Sequence, residues 1–141
     1  MQYKRFSDKI VARFDKGEEI VSCLKKVCER QKVNLAYVSA IGAVGDFTVG
    51  VFSPENKTYR SNRFEGDYEI VSLTGTVTTK EGEFYAHLHM SAGDESGKVF
   101  GGHLNSAKIS ATCEVVIFII DGKVERTFSQ EVGLNLFDFD C

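Results

Sequence analysis

The chain has 141 residues, of which 43% are hydrophobic and 26% are charged, and its formal net charge is −3 at pH 7. This composition is that of a globular protein and excludes a disordered chain. The length fits a single domain over residues 1–141, because a chain of this size can form one hydrophobic core. The acidic balance argues against a strongly basic nucleic-acid surface, since Lys and Arg supply the affinity for phosphates.

The longest apolar run, residues 115–120, is far shorter than the roughly 20 residues of a membrane-spanning helix. It predicts a buried strand, and we expect no membrane association. The N-terminal residues lack the apolar segment of a secretory signal, which favours a cytoplasmic location. The cysteines have no Cys-x-x-Cys spacing, which favours reduced, buried thiols over disulfides or a thiolate metal site. They are Cys23, Cys28, Cys113 and Cys141.

The N-terminal part predicts a strand followed by a helix. Residues 9–14 have the composition of a strand, and Asp15 then offers an N-cap with Glu18 three positions further on. The following apolar residues are spaced for one face of a helix, with charged residues between them that can face water. This apolar face comprises Ile20, Leu24, Val27 and Gln31, with Cys23 and Cys28 beside it.

The rest of the chain predicts strands. We expect a turn at Gly42 and Gly45, a second turn over residues 53–57, and a hairpin at Asp121-Gly122. The predicted strands cover residues 35–41, 46–52, 68–78, 83–90, 98–103, 109–120 and 123–128. Their short connections favour antiparallel pairing, because parallel neighbours need a long crossover. The fold class is therefore α+β, a mainly antiparallel sheet with a packed helix from the N-terminal half.

The three histidines are the principal candidates for chemistry. His87 and His89 are two positions apart on a predicted strand, so their side chains share a face. A polar, glycine-bounded loop should fold the next strand back, and a hairpin centred on Glu95 would place position 87 opposite His103. All three imidazoles would then lie on one face, whereas a slip of one residue would turn His103 away. Three imidazoles with a vacant fourth position are a ligand set of zinc.

An alternative interpretation is that these are ordinary strand histidines, satisfied by backbone or carboxylate partners. Gly101-Gly102 is interpreted as a turn or bulge rather than a phosphate cradle, because no helix with a phosphate-binding loop follows. Ser91 and Asp94 near the histidines lack the Gly-x-Ser-x-Gly elbow of a hydrolase.

Glu114 stands in an apolar strand pattern, where a buried carboxylate must be paired, hydrogen-bonded or protonated. It is a candidate general acid or base beside a metal-bound water, or a second partner that orients a histidine. The alternative is a salt bridge to Arg or Lys on a neighbouring strand or subunit.

Three blocks of sequence occur together. Residues 66–77 read Gly-Asp-Tyr-Glu-Ile-Val-Ser-Leu-Thr-Gly-Thr-Val, His87-Leu88-His89 is followed by Gly101-Gly102-His103-Leu104, and residues 111–117 read Ala-Thr-Cys-Glu-Val-Val-Ile. Over nearly the whole chain they resemble the plants-and-prokaryotes-conserved (PPC) domain family. The first block is similar to the family's Gly-Arg-Phe-Glu-Ile-Leu-Ser-Leu-x-Gly, and the second to its histidine hallmark.

The resemblance implies a compact α+β fold that assembles as a homotrimer, with His87, His89 and His103 as possible metal ligands. Plant members carry an AT-hook before the domain, and the family is commonly labelled DNA-binding. No AT-hook is visible here, and Asp67 stands where the family block has arginine. Both departures argue against DNA binding by this chain.

Three functions remain as hypotheses. The first is a trimeric binding or regulatory module with a metal on the histidines, zinc being the first candidate, and a regulatory protein as partner. The second is a metal-dependent enzyme in which a zinc-bound water is the nucleophile. The third is weak DNA binding through the basic residues of the predicted helix. Those residues are Lys25, Lys26, Arg30 and Lys32.

Overall fold

The structure is a computed structural model that describes residues 1–139, and these form eight strands and one helix. In chain order the elements are β1 (Gln2–Phe6), β2 (Lys9–Asp15), α1 (Ile20–Gln31), β3 (Ala36–Ser53), β4 (Thr58–Lys80), β5 (Glu83–Gly93), β6 (Val99–Ile119), β7 (Glu125–Ser129) and β8 (Leu134–Asp138). This confirms the predicted α+β class with one helix in the N-terminal half. That helix has 12 residues, and it is neither long nor apolar enough to cross a membrane.

Six strands form one sheet in the order β1-β2-β6-β3-β4-β5, and every pairing in it is antiparallel. Strand β5 also pairs with β6, so that β3, β4, β5 and β6 form a closed ring of pairings. Strands β7 and β8 form a separate hairpin. The closure brings the two histidine-bearing strands, β5 and β6, side by side.

The helix begins four residues later than the Asp15 cap predicts. Glu19 is the N-cap, and its carboxylate accepts bonds from the backbone N–H groups of Val21 (3.0 Å) and Ser22 (2.7 Å). Glu18 instead accepts from the backbone N–H of Asp15 at 2.8 Å, which holds the preceding turn out of the helix. The predicted apolar face is correct, because its aliphatic residues are buried together with both cysteines. They are Ile20, Cys23, Leu24, Val27 and Cys28.

The predicted turn at Gly42 and Gly45 is wrong, because β3 runs through both residues. The register with β4 shifts between Ala40 and Gly42, so the glycine marks a bulge rather than a chain reversal. Gly42 has φ +154, and a Cβ there would collide with the backbone of Thr112 on β6. The two strands predicted over residues 98–103 and 109–120 are likewise one long strand, β6.

The Asp121-Gly122 hairpin is also wrong. Strand β7 follows these residues but pairs with β8 and not with β6. Strands β1 and β8 were not predicted, because their sequences are largely exposed and carry no clear alternation toward the core. The turn at Asp121-Gly122 therefore directs the chain away from the main sheet. Just before β7, the carbonyl of Val124 accepts a hydrogen bond from the N–H of Thr79 on β4 (3.2 Å), which connects the β7–β8 hairpin to the sheet.

The main sheet buries one face and exposes the other. Leu88 and Met90 on β5 and Leu104 on β6 are buried, and the helix packs on the same core. Because side chains alternate along a strand, the residues between them point outward. His87, His89 and His103 occupy such positions, so they lie on the outer face.

A candidate metal centre of three histidines

Strand pairing brings the three histidines together. His89 on β5 is the direct cross-strand partner of His103 on β6. The sequence prediction placed position 87 there, a register that differs by two residues. Because side chains repeat every second residue, this difference leaves the parity unchanged, and all three rings still lie on one face.

The three rings form a compact cluster. Ring centroids are 5.2 Å apart for His87 and His89, 5.1 Å for His87 and His103, and 5.7 Å for His89 and His103. One nitrogen of each ring can be chosen so that all three lie within 4.8 Å of one another. Ligand nitrogens on a tetrahedral zinc ion are about 3.4 Å apart. Modest side-chain rotations would therefore bring the nitrogens to coordination distance.

Glycines beside the histidines let the strands approach closely. A Cβ on Gly75 of β4 would collide with the backbone carbonyl of His87, so no other residue fits at this pairing. Gly101 and Gly102 lie inside β6, opposite Ser91 and Met90. They are paired strand residues, so the predicted turn or bulge at these glycines is wrong.

Partial desolvation favours the neutral form of two of the imidazoles. Desolvation lowers the pKa of His87, and the nearby charges of His103, Arg126 and His89 lower it further. Desolvation and the neighbouring His89 lower the pKa of His103 in the same way. Both rings should therefore be unprotonated at neutral pH, which is the state that coordinates a metal.

Two polar side chains border His103 that sequence reasoning did not identify. The ring of Tyr59 lies edge-on to that of His103, with centroids 6.1 Å apart. Its hydroxyl donates to Oδ1 of Asn105 at 2.7 Å. Tyr59 lies at the start of β4, far from the histidines in sequence, and no local pattern could have indicated it.

Arg126 on β7 was also missed, and it lies beside His87. Its Nη2 donates to Oγ1 of Thr76 at 3.3 Å, and Thr76 is the cross-strand partner of His87. The guanidinium is held between the rings of Tyr85 and Phe137, at 4.7 and 4.4 Å from their centroids. The residue is only 7% exposed.

The structure does not place Glu114 with the histidines of the same chain. Its neighbours across β2 and β3 are Arg13 and Ile41. The side chain is exposed rather than buried, because Cys113 and Val115 on either side of it point into the core. The expectation of a buried carboxylate at this position is therefore wrong.

Other candidate features lie elsewhere. The carboxylate of Asp94 accepts bonds from Ser96 and Lys98 within its own loop, an arrangement typical of a tight turn.

Two open cavities of about 390 and 380 Å³ lie near the C-terminal end of α1, and no histidine is among their lining residues. Chemistry that depends on imidazole is therefore confined to the outer face of β5 and β6.

Comparisons with known proteins agree with this architecture. The sequence matches the Plants and Prokaryotes Conserved (PCC) domain over residues 1–121, a range that includes all three histidines. No curated protein is significantly similar to the chain in sequence.

Several solved structures share the whole fold. A candidate DNA-binding protein from Bacteroides thetaiotaomicron is 30% identical with a TM-score of 0.96, and the match covers 99% of this chain and 98% of that one. A metal-containing protein from Archaeoglobus fulgidus is 32% identical with a TM-score of 0.88, covering 97% and 98%. A plant- and prokaryote-conserved (PPC) protein from Pyrococcus horikoshii is 31% identical with a TM-score of 0.85, covering 97% and 93%.

Proposed function

The chain belongs to the Plants and Prokaryotes Conserved (PCC) domain family, and we propose that it is a trimeric binding or regulatory module whose three histidines hold a metal ion. Zinc is the first candidate for the metal. The observation that carries the proposal is the convergence of His87, His89 and His103, with ligand atoms within 4.8 Å of one another.

The chemistry of the donor set suits a borderline divalent metal. Imidazole nitrogens suit zinc, copper, iron and nickel, whereas magnesium and calcium prefer oxygen ligands. Three neutral rings leave one or more positions on the metal for an outside ligand. The relative from Archaeoglobus fulgidus is described as metal-containing, and this further supports the proposal.

The metal proposal is tested on protein purified without a histidine tag. Elemental analysis should find a divalent metal, and zinc titration of metal-free protein at pH 7.5 should saturate at one ion per chain. His89→Ala should abolish most of this binding. Ser91→Ala is the matched control, because Ser91 lies two residues further along the same face of β5. Wild-type protein that neither carries metal nor binds zinc would overturn the proposal.

Exposed apolar residues on the outer face support the proposed trimer. Val11 is 47% exposed, Tyr37 41%, Ile41 57% and Phe118 38%. Cross-strand pairing places Tyr37, Thr76 and His87 in one row of that face. An apolar surface of this kind in a small domain is typical of a subunit interface, and a second copy of the chain would cover it.

A metal-dependent enzyme is the second candidate function. It is supported by the open coordination position, where a metal would lower the pKa of bound water. Such an enzyme needs a proton acceptor, and the cluster of potential ligands found among the described residues consists of the three histidines, without a carboxylate. We therefore favour the binding module.

Weak DNA binding is the third candidate, supported by the relative from Bacteroides thetaiotaomicron. The basic residues of α1 are exposed, but Glu29 lies among them and pairs with Lys25 at 3.7 Å.

We also propose a cytoplasmic location. The free thiols of Cys23, Cys28 and Cys113 support a reducing compartment, and Cys141 lies outside the described residues.

A further inference from the structure

Arg126 is a buried cation, and none of its hydrogen-bond partners among the described residues is a carboxylate. The residue is 7% exposed, and its bonds within residues 1–139 go to neutral acceptors only. Nε donates to Oγ1 of Thr78 at 2.8 Å, Nη1 to the carbonyl of Asn135 at 3.0 Å, and Nη2 to Oγ1 of Thr76 at 3.3 Å. Burial of a charge is costly unless it is paired. Burial accordingly lowers the pKa of Arg126.

The guanidinium is held rigidly and retains donors for a ligand. A guanidinium carries five N–H groups, and three are used in these bonds. Each terminal nitrogen therefore keeps one N–H without a partner among the described residues. The rings of Tyr85 and Phe137 fix the plane of the group. Guanidinium N–H donors are well suited to bind the oxygens of a carboxylate or other oxyanion.

The position of Arg126 connects this donor pair to the histidine cluster. Its partner Thr76 is directly opposite His87, and side chains paired in this way have Cβ atoms roughly 4.5–5.5 Å apart. An oxyanion with one oxygen on a metal at the histidines could place another oxygen near the guanidinium.

We infer that the histidine site takes a small oxyanion, such as a carboxylate, as the outside ligand of its metal, and that Arg126 is the residue that binds and selects this anion. The inference deepens the proposed function and rests on the metal site proposed there. Arg126 lies on β7, beyond the residues 1–121 that match the family. Selection of the anion is therefore assigned to the C-terminal hairpin.

Two electrostatic effects of opposite sign make the inference testable. Without a suitable anion, the charge of Arg126 repels a divalent cation and weakens its binding. With the anion present, the metal and the guanidinium both contact it, so each strengthens the binding of the other. Coupling of this kind between two ligands is reciprocal and usually amounts to about 5–150-fold.

The experiment measures the affinity of metal-free, untagged protein for Co²⁺ at pH 7.5 in chloride, acetate or sulfate at constant ionic strength. Co²⁺ is chosen because its visible spectrum reports a change of coordinating atoms. In the wild type, acetate or sulfate should tighten Co²⁺ binding by about fivefold or more relative to chloride and should change the spectrum. The acetate and sulfate arms distinguish a carboxylate from a tetrahedral oxyanion.

Arg126→Gln should lose the anion effect, while its affinity for Co²⁺ in chloride stays equal to or exceeds that of the wild type. Arg30→Gln is the control, because it removes the same charge from an exposed position on α1. Circular dichroism checks the fold. If Arg126→Gln does not fold, Arg126→Lys decides, since it keeps the charge without the planar donor pair and should show a smaller anion effect than the wild type.

The outcomes separate the two proposals. Wild-type protein that binds no Co²⁺ or zinc overturns both of them. Metal binding that is equal in chloride, acetate and sulfate overturns the anion inference and leaves the metal site standing. An anion effect that persists unchanged in Arg126→Gln, or in Arg126→Lys if only that variant folds, shows that Arg126 does not bind the anion.

Discussion

At the scale of single residues, the site depends on which face of a strand each side chain occupies. Strand geometry points His87 and His89 to the same side, and pairing of His89 with His103 adds the third ring. The buried residues between them anchor the strands in the core. Partial desolvation then lowers the pKa of His87 and of His103, so that proximity and protonation state both favour metal binding.

This protonation behaviour predicts the pH dependence of metal affinity. A free imidazole has a pKa near 6.5, and the pKa values of His87 and His103 are lower. Protons therefore compete with the metal only at acidic pH, and zinc affinity should be nearly constant above neutrality. Below the histidine pKa values it should fall, by up to roughly tenfold per pH unit for each ring that must lose a proton.

The measurement is the zinc dissociation constant from pH 8 to pH 5, obtained by calorimetry with correction for buffer protonation. Proton release on zinc binding should increase as the pH is lowered. His89→Ala should show both weaker affinity and a shallower dependence. An affinity and a pH dependence that are the same in His89→Ala as in the wild type would exclude His89 as a ligand.

The histidine grouping was predictable and its surroundings were not, for a physical reason. Side-chain direction along a strand repeats every two residues, so an error of two residues in register leaves each side chain on the same face. The prediction of the cluster was therefore correct although the predicted hairpin centre was wrong. Tyr59 and Arg126 reach the site from distant parts of the chain, through strand pairing and hairpin docking that no local pattern encodes. The prediction of a buried carboxylate at Glu114 was wrong, because alternation alone did not indicate which face of β6 is exposed.

At the scale of elements, long bent strands replace the short strands and turns that the sequence indicated. Glycines that resemble turn residues lie at bulges or close strand contacts, as at Gly42 in β3. The helix was predicted with its correct apolar face, because periodicity depends on many residues. Its N-terminus was misplaced, because three acidic residues compete for the cap and tertiary contacts decide between them.

Glu19 provides a test of this capping arrangement. Its carboxylate accepts bonds from the N–H groups of Val21 and Ser22 and also from that of Ala107 on β6 at 3.3 Å. Loss of an N-cap costs about 0.5–2 kcal/mol, and Glu19→Ala should lower the free energy of unfolding by an amount in this range. Urea unfolding at a fixed protein concentration measures it.

Glu29→Ala is the control, because the side chain of Glu29 is exposed and pairs with Lys25 on the same helix. Its effect should stay below about 0.5 kcal/mol. Equal effects of the two substitutions would mean that the cap does not contribute to stability.

At the scale of the whole molecule, the outer face leaves apolar side chains exposed to solvent in a single chain. Tyr37 and Phe118 contact each other with ring centroids 5.8 Å apart and are both exposed. If this face joins three copies, light scattering should give a mass three times the 15.7 kDa of one chain. Ile41→Glu should dissociate the assembly, because it would bury a charge in an apolar contact.

Val51→Glu serves as the control, since Val51 is 63% exposed and lies near the end of β3 toward the β3–β4 turn. It should leave the mass unchanged. A wild-type chain that is monomeric at micromolar concentration and neutral pH would contradict the trimer.

DNA binding is also a property of the whole surface, because affinity for phosphates depends on the summed field of many charges. Each chain has a net charge of −3, and on α1 the basic residues are interrupted by Glu29, which pairs with Lys25.

We therefore predict weak, sequence-independent association with DNA that weakens further between 50 and 200 mM salt. Titration against two duplexes of different sequence at both salt concentrations measures it. The double variant Lys26→Glu/Arg30→Glu should remove the residual binding, whereas Lys16→Glu/Lys98→Glu, with the same change of charge in exposed loops outside α1, should reduce it less. Tight binding that distinguishes the two duplexes and persists at 200 mM salt would show that this acidic surface does recognise DNA.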